Sequence, residues 1–71
     1  MTYNKTKVLG HVNEAFAARG WRDSGSEILH ISERLSQGMS TQDVARAISE
    51  KFLLANGIKR PDVVSVLNRV L

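Results

Sequence analysis

The sequence predicts an all-α fold, a compact bundle of about four short helices with a helix-turn-helix-like arrangement. Three glycines, Gly20, Gly38 and Gly57, are each soon followed by a helix-start pattern, as in short helices joined by tight turns. Between the glycines, apolar residues recur every three or four positions, and no stretch alternates apolar and polar residues as a half-exposed strand does. The length of 71 residues predicts one domain, residues 1–71.

Four helices are expected, over residues 4–19, 24–37, 40–54 and 61–71. The second and third each begin with a serine that has an acid three residues later, Ser24 with Glu27 and Ser40 with Asp43. This is the spacing of a capping box. The fourth has Pro61 in its first turn, where proline is favoured because its missing N–H is not needed there.

Each predicted helix has one apolar stripe when its residues are placed at steps of about 100°. These stripes predict the core residues, which are Val12, Phe16, Ile28, Ile31, Leu35, Val44, Ile48, Phe52, Val63 and Leu67. The last helix is apolar over slightly less than half of its circumference. Because the chain is short and this helix is so apolar, we also predict a homodimer.

Composition and spacing argue against several classes of protein. The absence of cysteine excludes disulfides and thiolate metal sites. His11 and His30 lie on different predicted helices with no carboxylate at ligand spacing, so we expect no metal, no cofactor and no enzymatic activity. No apolar run approaches the ~20 residues of a membrane span, and the first residues do not resemble a signal peptide. We therefore expect a cytoplasmic protein without a membrane partner.

The net charge of +3 is unevenly distributed along the chain. Residues 1–22 and residues 51–71 each hold four Lys or Arg and one acid, whereas residues 23–50 hold two Arg and five acids. An anionic partner is therefore expected to contact the two ends, with the middle supporting them. The alternative interpretation is an ordinary solvated surface, because the excess of positive charge is small.

The single tryptophan, Trp21, lies between Arg19 and Arg22 in a predicted loop. Two interpretations are open. Trp21 stacks on a base or contacts an acidic partner, or it fills the gap between the first two helices and supplies much of a small core. Lys5 and Lys7, near the start of the chain, are further candidates for accessory contacts with an anionic partner.

The stretch Gly38-Met39-Ser40-Thr41-Gln42-Asp43-Val44-Ala45-Arg46-Ala47-Ile48 follows an amphipathic helix. Gly38 ends that helix, and the apolar Met39 and then Ser40 follow it. An acid, an aliphatic, an alanine and a later aliphatic come next, at Asp43, Val44, Ala45 and Ile48. In this respect residues 26–48 resemble the helix-turn-helix output domains of quorum regulators and response regulators. Residues 61–69 match more loosely, at the place of the recognition helix of that family. Residues 49–60, between the two matches, form a longer connection than the short turn found there.

The resemblance implies a small transcriptional regulator that binds DNA, with the last helix in the major groove. Asn68 and Arg69 suit that role because amide and guanidinium groups bond to base edges, and Ser65 lies on the same helix face. Lys59 and Arg60 would hold phosphates at the start of this helix. Residues 23–50 would then lie away from the phosphates.

The alternative function is a small helical protein-interaction module or inhibitor, of phage type, that binds a host regulatory protein. The small size, the apolar last helix and the basic ends serve this function equally well. In particular, an uncovered apolar face on the last helix would be a docking surface.

Overall fold

A computed structural model describes residues 4–22 and 26–71, and these residues form five α-helices and no strand. The helices are α1 (Lys5–Ala18), α2 (Glu27–Ser36), α3 (Thr41–Arg46), α4 (Glu50–Asn56) and α5 (Arg60–Val70). α1 packs along α2, α5 lies against α3 and α1, and α2 contacts α3. The all-α class expected from the sequence is confirmed.

Local signals in the sequence explain where most of the helices begin and end. Asn4 Oδ1 accepts hydrogen bonds from two backbone N–H groups in the first turn of α1. Ser40 Oγ accepts from the backbone N–H of Asp43 at 3.1 Å and begins α3. Gly57 ends α4 with φ of 62°, a left-handed conformation in which a side chain would be strained. The predicted start of the second helix, at Ser24, lies outside the described residues.

The third predicted helix, residues 40–54, is wrong as a single element, because the chain breaks between α3 and α4. Ser49 is extended, with ψ of 134°, and its Oγ accepts from the backbone N–H of Lys51 at 3.1 Å. The Ile48 carbonyl oxygen accepts from the Arg60 guanidinium at 2.9 Å. A serine that caps a new helix and a carbonyl with an outside partner together stabilise the break.

The predicted core is confirmed at all ten positions, none of which is more than 6% exposed. All five helices contribute to one apolar cluster, which also contains Val8, Leu53 and Val66. Much of the apolar face of α5 is used in this cluster, since Val63, Val66 and Leu67 are buried. The homodimer expected from the sequence therefore does not gain a docking surface from these three residues.

The side chain of Ile48, at the α3–α4 break, is only 2% exposed and so belongs to the core. A substitution at this position tests that conclusion. Replacing Ile48 with alanine should destabilise the fold by about 2–5 kcal/mol, through lost apolar contacts and the remaining cavity. Urea unfolding followed by circular dichroism measures this change. Leu54→Ala is the matched control, because Leu54 is 77% exposed and its loss should change stability by no more than about 0.5 kcal/mol. If the two variants unfold at the same urea concentration, Ile48 is not part of the core.

Candidate functional site

α5 presents a polar face to solvent along its whole length. The exposed residues of this face are Asp62, Ser65, Asn68 and Arg69. The Asp62 carboxylate accepts from the backbone N–H of Lys59 at 2.9 Å, which stabilises the first turn of the helix. The three residues predicted to read bases, Ser65, Asn68 and Arg69, therefore share one solvent-facing surface.

A cleft of about 440 Å³ separates this face from the C-terminal end of α1. We call it the Trp21 cleft, and its lining residues are Arg19, Trp21, Asp62, Ser65, Val66, Asn68 and Arg69. One wall thus comes from the residues that follow α1 and the other from α5. The structure brings together two of the predicted accessory residues with all three of the predicted base-reading residues.

A second cleft, of about 520 Å³, lies on the other side of α5, against α3. We call it the Arg46 cleft, and its lining residues are Gln42, Ala45, Arg46, Arg60, Pro61, Val64 and Ser65. Ser65 lines both clefts, so the polar face of α5 lies between them. Gln42 and Arg46 were not predicted as site residues, because the acidic middle of the chain was expected to lie elsewhere. Their i, i+4 spacing on an exposed helix face was the available signal.

Trp21 is partly buried and packs against the core cluster, whereas its contact with a base or an acidic partner stays a prediction. Its ring packs edge-on against Phe16, with ring centroids 5.1 Å apart and planes at 68°. Phe16 in turn stacks on Phe52 at 6.0 Å. Trp21 is half-buried, and it is one of the residues that line the Trp21 cleft. Within residues 4–22 and 26–71, nothing accepts a hydrogen bond from the indole N–H.

The backbone beside Trp21 is fixed by a side chain of α4. Asn56 Oδ1 accepts from the backbone N–H of Arg22 at 2.7 Å, and Asn56 Nδ2 donates to the Arg22 carbonyl oxygen at 3.0 Å. The same Nδ2 donates to the carbonyl oxygen of Phe52 at 2.9 Å. One amide therefore ties the loop after α1 to the last turn of α4 and positions the wall of the Trp21 cleft.

The two predicted phosphate contacts differ in what they do in the fold. Arg60 Nη1 donates to Glu50 Oε1 at 2.7 Å, and Arg60 Nη2 donates to the carbonyl oxygen of Ile48 at 2.9 Å. Lys59 is exposed, and its ammonium group forms no ion pair with any residue that the structure describes. Lys59 is therefore the better placed of the two to bind a phosphate.

Asn68 also has a contact within the chain. Its Oδ1 accepts from the hydroxyl of Thr41 at 2.8 Å, which links α5 to the start of α3. The amide nitrogen is a further donor. Arg69, the next residue, makes no ion pair within the described part of the chain.

The remaining predicted accessory residues are dispersed over the surface. Lys5 Nζ forms an ion pair with Glu33 at 3.2 Å and so links α1 to α2. Lys7 is exposed and lines a separate hollow beside His11 and Leu71. Arg22 is exposed and follows Trp21 directly, although it does not line the Trp21 cleft.

The described residues include no group of three or more His, Asp or Glu side chains placed to hold a metal ion. None of the described helices has both the length and the hydropathy needed to cross a membrane. Comparisons of the chain with protein-family models, curated proteins and solved structures find no match. The surface around α5 is therefore the feature that points to a function.

Asn56→Ala tests whether this amide holds the wall of the Trp21 cleft. The loss of three hydrogen bonds should destabilise the fold by about 1–3 kcal/mol. The emission of Trp21, the only tryptophan, should shift to longer wavelength as the indole meets water. Asn13→Ala is the control, because Asn13 is exposed on α1. If the two variants have the same emission and the same unfolding midpoint, Asn56 does not position the loop.

Proposed function

We propose that the protein binds duplex DNA through the polar face of α5. The observation that supports this is the position of that face between two clefts, with amide, hydroxyl and guanidinium groups along it. The major groove, about 12 Å wide and about 8.5 Å deep, accepts one α-helix, and base edges there present both donors and acceptors. A helix flanked by two clefts leaves room for the strands that border the groove.

The side chains of α5 suit different base contacts. Arg69 is suited to a bidentate bond with the O6 and N7 acceptors of guanine. Asn68 shares its Oδ1 with Thr41, so its nitrogen is the better placed group, and it would donate to an acceptor such as a purine N7. Ser65, one turn earlier, donates or accepts. Lys59 supplies a phosphate contact at the start of the helix, whereas Arg60 keeps its bonds to Ile48 and Glu50.

Two substitutions separate base recognition from phosphate binding. Arg69→Ala should weaken binding to the preferred duplex by about 1–3 kcal/mol and change binding to random duplexes little. Lys59→Ala should weaken binding to all duplexes and lower the slope of log K against log salt by about 0.9. Fluorescence anisotropy with selected and random labelled duplexes at several salt concentrations measures both effects.

Lys51→Ala is the matched control for these variants. Lys51 is exposed on α4 and lines neither cleft, so its removal should leave the preferred duplex and the salt slope nearly unchanged. If wild type binds no duplex more tightly than about 10 µM at about 50 mM salt, where electrostatic attraction is strong, the proposal is overturned.

A protein-interaction module is the second candidate, and one exposed apolar residue favours it. Leu54 is 77% exposed and lines a hollow with Ile58 and Lys59. Such a surface binds apolar side chains of a partner in the way that interface cores do. This function is favoured if the protein binds no duplex and instead forms a complex with another protein. That complex should survive nuclease treatment and be disrupted by Leu54→Asp.

The homodimer also remains a prediction, because a two-fold dimer suits a palindromic DNA site. The large apolar side chains exposed in the described residues are Leu29, Leu54 and Leu71, and a dimer would be expected to cover one or more of them. Sedimentation equilibrium at tens of micromolar should give twice the chain mass of 7.9 kDa. A stable species of 7.9 kDa would contradict the prediction.

A further inference from the structure

The Trp21 cleft has hydrogen-bond donors on both walls. Arg19 and Trp21 line the α1 side and Ser65 and Arg69 line the α5 side, and each of these side chains carries a hydrogen-bond donor. Asp62 is the carboxylate among the lining residues, and its Oδ2 accepts from the Lys59 backbone N–H. The residues that line the cleft thus include two arginines and a tryptophan, and their N–H donors suit an anionic ligand with acceptor oxygens.

The donors on the α1 wall are held in place by the fold. Arg19 Nη1 donates to the carbonyl oxygen of Ala15 at 2.9 Å, at the end of α1, and the other guanidinium N–H groups remain. The Trp21 ring is fixed by its edge contact with Phe16, and the Arg22 backbone by Asn56. Donors held in this way lose little conformational entropy when they bind a ligand.

We infer that one sugar–phosphate strand of the bound duplex lies in the Trp21 cleft, contacted by the Arg19 guanidinium and the Trp21 indole N–H. This inference rests on the proposed binding of DNA by α5. A helix in the major groove has a strand on each side, and phosphate oxygens accept from arginine and from other N–H donors. With the α5 face against the bases, the strand on the α1 side meets Arg19 and Trp21 on the opposite wall.

The single tryptophan makes the contact directly measurable. Titration of the wild-type protein with its preferred duplex should change the Trp21 emission, because the indole edge becomes covered. Trp21→Phe keeps an aromatic ring against Phe16 and removes the N–H, so it should weaken binding about 2- to 10-fold, as expected for one lost hydrogen bond.

Two substitutions test whether the charge of Arg19 contacts a phosphate, because one removes that charge and the other keeps it. Arg19→Gln keeps a side-chain N–H donor but removes the charge, so the slope of log K against log salt should fall by about 0.9. Arg19→Lys keeps the charge and should keep the slope. Lys51→Ala, which removes a charge outside both clefts, should also keep the wild-type slope.

The outcomes distinguish this inference from the proposed function. If Trp21→Phe and Arg19→Gln bind duplex with wild-type affinity and slope while Arg69→Ala binds more weakly, the strand does not lie in the Trp21 cleft. That result overturns the inference and leaves DNA binding by α5 intact. If the wild-type protein binds no duplex, both proposals fall.

Discussion

Arg60 donates two hydrogen bonds, one to the main-chain oxygen of Ile48 and one to the carboxylate of Glu50. The first acceptor lies at the break between α3 and α4, and the second lies at the start of α4. A carbonyl at a helix end needs a partner from elsewhere, and Arg60 provides it from the first residue of α5. Together with the packing of α5 against α3 and α1, this contact fixes the start of α5 relative to α3 and α4 and so helps to place the α5 face between its two clefts.

Several residues that line the clefts beside α5 also make contacts within the fold. Asn68 is tied to Thr41, Arg19 to Ala15, and Trp21 packs against Phe16. In a chain of 71 residues, few side chains are left over for function alone. A weakened variant can therefore reflect either lost binding or lost stability. Substitutions that retain the internal contact separate the two causes.

Local sequence patterns were sufficient for most of the fold. The stripe spaced at three and four residues identified the buried positions, and Ser40 and Gly57 lie at helix ends as their residue types favour. The break at Ile48 was missed because the apolar stripe continues through it to Phe52, as it would along one helix. The contact that stabilises the break comes from Arg60, twelve residues further along the chain. The Trp21 cleft is also not predicted by local patterns, because its two walls come from segments that are distant in sequence.

The charge pattern of the sequence takes on a different meaning in three dimensions. Ion pairs join acids of the middle stretch to bases of the two ends, namely Glu33 with Lys5 and Glu50 with Arg60, and Arg46 pairs with its neighbour Asp43. Exposed pairs of this kind add little stability, but they neutralise charge where they form. Within the described residues, Arg19, Lys59 and Arg69, which lie on or beside α5, have no such pair, and neither do Lys7, Arg22 and Lys51, which lie elsewhere on the surface. A small net charge can therefore still give a local positive potential, which is the property that attracts a polyanion.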